Sequence, residues 1–245
     1  MTVRVRALGS GDSFGSGGRF QTCLLVTHAR GALLMDCGET SLVAMRRSGV
    51  DPATIDAVAI THFHGDHYGG IPALIVQQQF DKRARPLIVA GPPGIESRVR
   101  VAFEALYPGS YDTAHRAVQV TYVELGAEAR ELDGASVTAI AVEHLATTEP
   151  HGLRVRVEDR LLAYSGDTRW CPALVELADG ADLFVCECYS FDKAIPNHLS
   201  HQDLLEHRSE LRAKRVVVMH LGPDALAHES ELAFEVAHDG EEIAL

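Results

Sequence analysis

Apolar residues along the chain occur in short runs separated by polar turns, a pattern typical of interleaved strands and helices. The strand-like runs are Val3–Leu8, Thr22–Val26, Ala32–Met35, Ala57–Ile60, Leu87–Ala90, most of Val118–Val157, Leu161–Tyr164, Leu183–Val185 and Arg215–Met219. The helix-like runs are Ser41–Arg47, Gly69–Gln79, Pro93–Leu106, Leu174–Ala178 and Gln202–Leu211. Two β-rich halves, each interspersed with helices, predict an α+β fold.

Two local signals mark helix starts. Pro72 is compatible with the first turn of the helix that follows Gly69, where its missing N–H is not needed. Ser200 with Asp203 three positions later predicts a capping box at the start of the last long helix.

Length and composition narrow the class of protein. With 245 residues and 46% hydrophobic content, the chain can bury a substantial core as one domain over 1–245. No stretch approaches about twenty uninterrupted apolar residues, so we expect no membrane span. The start of the chain lacks the hydrophobic core of a signal peptide, and we expect a cytoplasmic protein. The five cysteines are an odd number without a regular framework, which favours buried thiols.

The densest candidate chemistry is the segment Thr61-His62-Phe63-His64-Gly65-Asp66-His67. It follows an apolar run, and side chains two apart in an extended chain point the same way, so His62 and His64 share one side. Gly65 allows a turn that directs Asp66 and His67 to a neighbouring point. Mixed nitrogen and oxygen donors at this density suit divalent ions such as zinc, and they suit two ions better than one.

This segment is the HxHxDH motif of the metallo-β-lactamase superfamily, and the resemblance extends from about residue 7 to residue 222. That family takes further ligands from the ends of later strands, and three apolar runs here end in matching residues: His144, Asp167 within Ser165-Gly166-Asp167-Thr168, and His220. The resemblance implies one ion on His62, His64 and His144, a second on Asp66, His67 and His220, and Asp167 bridging them. It also implies the four-layer αβ/βα sandwich, with two mixed β-sheets flanked by helices.

The implied chemistry is hydrolysis. A water shared between two divalent ions loses its proton near neutral pH, because even a single protein-bound zinc lowers the pKa of water to about 7. Asp66 would both ligate a metal and orient the hydroxide. The ions are expected to be Zn²⁺, and the same ligand set accepts Mn²⁺ or Fe²⁺. Asp36, in a segment that resembles the family's DCGE segment, is expected to brace the metal-binding loop.

The branch of the family is indicated by Glu187 and His198, which resemble the carboxylate and histidine of ribonuclease Z and its phosphodiesterase relatives. There the pair relays a proton to the leaving oxygen, and a carboxylate that holds a histidine makes a competent general acid. His201 competes with His198 for this role, although position 198 matches the family pattern better. Without the resemblance, Glu187 is equally well interpreted as a surface residue and His198 as a turn residue.

Two features argue against a tRNA substrate. Short bacterial enzymes of the tRNA-processing type carry a long arm between the third and fourth metal motifs, but His144 and Asp167 are only 23 positions apart here. The formal net charge is −12, and the basic residues are scattered, which disfavours nucleic acid as a partner. A small anionic substrate is compatible with that charge because the two ions bring positive charge to the site.

The sequence therefore predicts a dinuclear metal-dependent hydrolase, a phosphodiesterase acting on a small substrate such as a cyclic nucleotide or a cyclic ribose phosphate. Three alternatives stay open: a lactonase or thioesterase on the same fold, a tRNA 3′-end endoribonuclease, and a non-catalytic ligand-binding protein. Family relatives are often dimers, which implies a homodimer. The glycine-rich segment Gly9–Gly18 lacks the lysine of a phosphate-binding loop and is expected to lie beside the active site instead.

Overall fold

The computed structural model describes residues 3–243 and residue 245. Within these residues the chain forms fourteen strands, eight α-helices and several short 3-10 turns. The same residues include no helix that combines the length and the apolar character needed to cross a membrane.

The strands form two seven-stranded sheets, each mixed in direction. The first sheet has the order β14-β1-β2-β3-β4-β5-β6 and is built from β1 (Arg4–Gly9), β2 (Cys23–Thr27), β3 (Ala32–Met35), β4 (Ala57–Ala59), β5 (Leu87–Gly91), β6 (Val120–Glu124) and β14 (Glu241–Ile243). The second has the order β13-β12-β11-β10-β9-β8-β7 and is built from β7 (Arg130–Leu132), β8 (Ala135–Ala141), β9 (His151–Val157), β10 (Arg160–Tyr164), β11 (Leu183–Glu187), β12 (Val216–Met219) and β13 (Glu235–Val236).

The helices divide between the outer faces of the two sheets. Those that pack on the first sheet are α1 (Ser41–Arg47), α3 (Ile71–Phe80), α4 (Ile95–Leu106) and α5 (Tyr111–Val118). Those that pack on the second are α6 (Ala173–Ala178), α7 (His201–Glu206) and α8 (Pro223–Ala227). The single turn α2 (Gly65–Tyr68) lies within the histidine-rich segment.

Alternation along the strands produces three apolar layers. In β2, Leu24 and Val26 point into the core between the two sheets, whereas Leu25 packs with the helices of the first sheet. In β11, Val185 faces the central core and Phe184 the helices of the second sheet. The result is the predicted αβ/βα sandwich of four layers, which confirms the fold class.

Strand direction brings the polar segments together. Strands β10, β11 and β12 are parallel neighbours, and β8 runs the same way because β9 is antiparallel to both β8 and β10. The segments that follow these strands therefore leave the second sheet at the same edge. Two backbone hydrogen bonds join this edge to the segment after β4, from Phe63 N to Thr148 O and from His151 N to Thr61 O, both 3.0 Å long.

Some predicted elements differ from the observed ones. Helix α5 occupies Tyr111–Val118, a stretch with no predicted element apart from Val118, where the strand-like region was expected to begin. The helix predicted over Gln202–Leu211 ends at Glu206 and continues only as a 3-10 turn over Arg208–Glu210. The predicted capping box is confirmed: Ser200 Oγ accepts from Asp203 N, and the Asp203 carboxylate accepts from Ser200 N.

Candidate metal centre

Asp36 holds the histidine-rich segment in place. It follows β3 with a left-handed φ of 60° and is completely buried. Its Oδ1 accepts a hydrogen bond from Thr61 N at 2.8 Å, and its Oδ2 lies 2.7 Å from His67 Nδ1. Asp36 thus contacts both ends of the segment, as a brace of this loop was expected to do.

The first cluster consists of His62, His64 and His144, with one oxygen of Asp167 at its edge. The His64 Nδ1 atom lies 3.1 Å from His62 Nε2 and 3.2 Å from His144 Nε2. Asp167 Oδ2 lies 3.8 Å from His62 Nε2 and 4.0 Å from His144 Nε2.

The second cluster consists of Asp66, His67 and His220, with the other oxygen of Asp167. His67 Nε2 is 3.2 Å from both Asp66 Oδ2 and Asp167 Oδ1. His220 Nε2 is 3.3 Å from the same Asp66 oxygen and 3.4 Å from the same Asp167 oxygen. All seven residues expected to be metal ligands therefore converge, and Asp167 lies between the two groups with one oxygen directed to each.

The donor atoms fit divalent cations. In a tetrahedral zinc site with bonds of about 2.0–2.1 Å, neighbouring ligand atoms lie about 3.3 Å apart, close to the separations in both clusters. In the second cluster Asp66 Oδ1, His67 Nε2 and Asp167 Oδ1 are buried without a hydrogen-bond partner among the described residues. Buried polar atoms normally have partners, so three together indicate a place for a positive ion and for a water beside it.

The remaining ring nitrogens of three histidines are held by neighbours. Thr61 Oγ1 lies 3.0 Å from His62 Nδ1, and Asp36 holds His67 Nδ1. The Nδ1–H of His144 donates to the backbone carbonyl of Asn197 at 2.8 Å. Such contacts fix the tautomer and the orientation of a ligating imidazole.

Charge differs between the clusters. In the first, burial lowers the pKa of His62, His64 and His144, so these rings are neutral near pH 7. In the second, burial opposes protonation of His220, but Asp167 and Asp66 outweigh it and raise its pKa to about 9. In the same way Asp167 and Asp66 raise the pKa of His67 well above its ordinary value.

Glu187 and His198 lie beside both clusters. His198 Nδ1 is 3.1 Å from Glu187 Oε2, and the His198 ring centre is 4.9 Å from that of His144 and 5.9 Å from that of His220. Glu187 lies at the end of β11 and accepts further hydrogen bonds from the backbone N–H of Thr168 and of Leu199. Its side chain is 1% exposed and that of His198 is 19% exposed, so His198 is the member of the pair that solvent or substrate can reach.

The rival residue His201 is directed elsewhere. Its Nε2 accepts a hydrogen bond from Ala233 N at 3.0 Å, and its ring stacks on Phe191. The structure therefore brings His198, and not His201, to Glu187.

Sequence reasoning missed Tyr189 as part of this surface. Its ring stacks on His198 with centres 4.7 Å apart. A side chain at position 222 would lie 2.9 Å from the Tyr189 ring, so Gly222 is needed for this close approach. Tyrosine after a strand is common, and no sequence signal identified this contact.

The glycine-rich segment lies beside the centre as expected: Ser10 O accepts from His220 N at 2.8 Å. The expectation that all five cysteines are buried free thiols is also confirmed for Cys23, Cys37, Cys171, Cys186 and Cys188.

Comparison with known proteins supports the fold and identifies relatives in sequence. A diphosphatase of the PhnP family superposes with a TM-score of 0.80 at 22% identity, over 100% of this chain and 98% of that chain. The metallo-β-lactamase fold protein YhfI from Bacillus subtilis superposes with a TM-score of 0.76 at 20% identity, over the whole of both chains. The ribonuclease Z of Methanothermobacter thermautotrophicus is 27% identical over 270 residues, covering 89% of this chain and 86% of the relative.

Fold, clusters and relatives together define a metal-dependent hydrolase of the metallo-β-lactamase superfamily, of the dinuclear type, near its ribonuclease Z-like and phosphodiesterase branch. Within that class, a model of the family described as Anti-Pycsar protein Apyc1 matches residues 3–239, and the chain belongs to this family.

Proposed function

We propose that this hydrolase is a phosphodiesterase acting on a small anionic phosphodiester, such as a cyclic nucleotide or a cyclic ribose phosphate. The observation that carries the proposal is the Glu187–His198 pair beside the two clusters, 3.1 Å between His198 Nδ1 and Glu187 Oε2. Cleavage of an unactivated phosphodiester releases a poor leaving group, an alkoxide, that needs a proton. A histidine held by a buried carboxylate can supply it.

The seven converging residues would hold two divalent ions, with His62, His64 and His144 on one, Asp66, His67 and His220 on the other, and Asp167 shared between them. Imidazoles with carboxylates favour Zn²⁺ and also accept Mn²⁺ or Fe²⁺. Bound there, such ions supply Lewis acidity that acidifies water and neutralises negative charge on a phosphoryl group.

His198 acts as the proton donor to the leaving oxygen. Because its Nδ1 faces Glu187 Oε2, its Nε2 is the nitrogen left for the substrate. Glu187 in turn is fixed by the backbone N–H groups of Thr168 and Leu199, so the imidazole is held in one orientation. Burial and the Asp167 carboxylate raise the pKa of Glu187, and these N–H donors oppose that shift by stabilising the carboxylate.

Asp66 orients the attacking water. Its Oδ2 faces His67 and His220, whereas its Oδ1 is buried without a hydrogen-bond partner among the described residues. This second oxygen can accept a hydrogen bond from the water and hold it in line with the phosphorus atom.

A small substrate is supported by the segment between His144 and Asp167. It forms a 3-10 turn over Ala146–Thr148 and the hairpin of β9 and β10, which leaves no residues for an RNA-binding arm there. The net charge of −12 points the same way. The relatives named ribonuclease Z make an RNA phosphodiester the second candidate substrate.

A homodimer, a cytoplasmic location and one domain over 1–245 stay predictions.

The test is a substrate panel measured on zinc-loaded protein: bis(p-nitrophenyl) phosphate, cyclic nucleotides, a tRNA precursor, acyl-homoserine lactones and glutathione thioesters. We expect turnover of the small phosphodiesters and little of the carbon-centred substrates. Preferential cleavage of lactones or thioesters would refute the phosphodiesterase assignment, and preferential cleavage of the tRNA precursor would establish the second candidate. Metal binding without any hydrolysis would instead indicate the non-catalytic alternative.

A further inference from the structure

The loop between β11 and α7 contacts both the first cluster and the Glu187–His198 pair through three consecutive residues. The Asn197 carbonyl accepts the hydrogen bond from His144 Nδ1, 2.8 Å away. The next side chain, His198, faces Glu187, and the backbone N–H of Leu199 donates to the same Glu187 oxygen at 3.3 Å. One short stretch of backbone therefore supports a candidate metal ligand and a candidate proton donor.

The ends of this loop are fixed independently of Asn197. Tyr189 N donates to Leu199 O at 2.9 Å, and His201 N donates to Ser190 O at 2.8 Å. Ser200 forms the capping box of α7. Within the loop, His198 N donates to Ile195 O at 3.2 Å and closes a turn with Asn197 at its third position, so the conformation of Asn197 in this turn determines where its carbonyl points.

That conformation is unusual. Asn197 has a φ of 65°, in the left-handed region that glycine enters freely, asparagine tolerates and β-branched residues avoid. Its side chain is half-buried, and its contact with the centre is made by the backbone carbonyl. A residue that rejects positive φ would rotate this carbonyl away from His144 and displace the His198 that follows.

We infer that Asn197 is a positioning residue whose left-handed backbone orients His144 in the first cluster and His198 beside Glu187 at the same time. The part of this inference that concerns proton donation rests on the proposed phosphodiesterase function. The part that concerns His144 rests on the hydrogen bond alone and has a readout in metal affinity. Positioning of both groups by one residue links binding at the first cluster to the orientation of the proton donor.

The test compares Asn197→Val with Asn197→Gly. Valine should weaken Zn²⁺ binding at the first cluster by about tenfold or more, as loss of an outer hydrogen bond to a ligating histidine usually does. It should also lower kcat for an alkyl phosphodiester more than kcat for bis(p-nitrophenyl) phosphate, with KM changed less than kcat. Asn197→Gly, which adopts the same backbone conformation without strain, should keep the Zn²⁺ affinity and the leaving-group dependence of the wild type. If Asn197→Val fails to fold, Asn197→Ala takes its place in the test. Alanine is less strained than valine at this φ, so both the loss of Zn²⁺ affinity and the loss of kcat should be present but smaller.

Gln119→Val is the matched control. Gln119 has a φ of 57° and is an exposed residue at the end of α5. It precedes β6, whose first residue pairs with Leu87 at the start of β5, so it lies at the opposite end of the sheet from the histidine segment. This variant should lose thermal stability by a comparable amount and keep the Zn²⁺ affinity and the leaving-group dependence of the wild type.

Two results would overturn the inference. One is a folded Asn197→Val protein with wild-type Zn²⁺ affinity and wild-type leaving-group dependence. The other is an Asn197→Gly protein as impaired as the valine variant, because the side-chain amide and not the backbone would then be responsible. Absence of phosphodiester hydrolysis in the zinc-loaded wild type would refute the proposed function, and the Zn²⁺ affinities would still test the positioning of His144.

Discussion

The two clusters of the candidate centre use similar side chains in different surroundings. In the first, His64 is partly exposed, and burial lowers the pKa values of His64 and His144. In the second, every member is buried, and the carboxylates raise the pKa values of His67 and His220. The comparison indicates a division of work: the buried cluster, which has two carboxylates, should hold its cation more tightly, and the cluster with the partly exposed His64 should be the side that substrate reaches.

Removal of Asp167 should have the largest effect because it removes the group that the clusters share. Its Oδ1 faces the second cluster and its Oδ2 faces the first. We expect Asp167→Ala to lose bound metal at both clusters and to retain less than about 0.1% of phosphodiester turnover. Metal analysis of the purified variant beside Asp179→Ala, an exposed carboxylate, measures this. A variant that still bound two ions would mean that the clusters do not depend on a shared ligand.

Replacement of His198 tests proton donation to the leaving group separately from metal binding. His198→Ala should keep the ions of the two clusters because His198 is not one of their seven residues, and it removes only the third group of possible ligands, formed by Glu187, His198 and His220. Turnover of an alkyl phosphodiester should fall about 100-fold or more, and turnover of a p-nitrophenyl ester, whose leaving group needs no proton, should fall much less. His201→Ala provides the control. Equal losses for both substrates would remove His198 from proton donation.

The direct brace of the second cluster can be weakened with only an indirect effect on the first, which Asp36 reaches through Thr61. Asp36 Oδ2 is 2.7 Å from His67 Nδ1. Asp36→Asn keeps an acceptor for Thr61 N but removes the charge, and we expect affinity at the second cluster to fall about tenfold to 100-fold. Competition with a chelator measures both affinities. An equal fall at the two clusters would mean that the indirect support of His62 through Thr61 matters as much as the direct contact of Asp36 with His67.

Competition between protons and Zn²⁺ should make the pH dependence of binding differ between the two clusters. In the folded, metal-free protein the pKa of His220 is raised to about 9, so below that pH a cation must displace a proton. Zn²⁺ affinity at the second cluster should therefore rise by about tenfold for each pH unit between 7 and 9 through the His220 proton, and by more because the raised pKa of His67 adds a second proton to displace. The lowered pKa values of His64 and His144 predict a flatter dependence at the first cluster. Calorimetry in buffers of different ionisation enthalpy would count the protons released, and identical dependence at both clusters would contradict the assignment.

Much of the fold could be predicted because periodicity is a local property. Alternating and continuous apolar runs identified the strands that end before the histidine segment, Asp167 and His220. Helix α5 was missed because its apolar pattern is short and weak: Tyr111, Ala114 and Val118 are its buried residues, at helical spacing, and most of the others are polar and exposed. The end of α7 was misplaced because no glycine or proline marks it.

The part of the candidate site that lies in a sequence motif could be predicted, and the part that depends on tertiary contacts could not. His62, His64, Asp66 and His67 lie in six positions, and strand ends pointed to the others. Asn197 supports His144 from 53 positions away in the sequence. The contact is made by a backbone carbonyl, so the identity of the side chain at position 197 does not reveal it. Tyr189 stacks on His198, and the space its ring occupies is left open by Gly222, a contact between residues far apart in the sequence.

Titration of metal-free protein with Zn²⁺, with metal stoichiometry and phosphodiester turnover followed together, tests the central claim most directly. The account predicts two ions per chain, with binding first at the second cluster and turnover that appears as the first cluster fills. Saturation at fewer than two ions, or full turnover by metal-free protein, would contradict it.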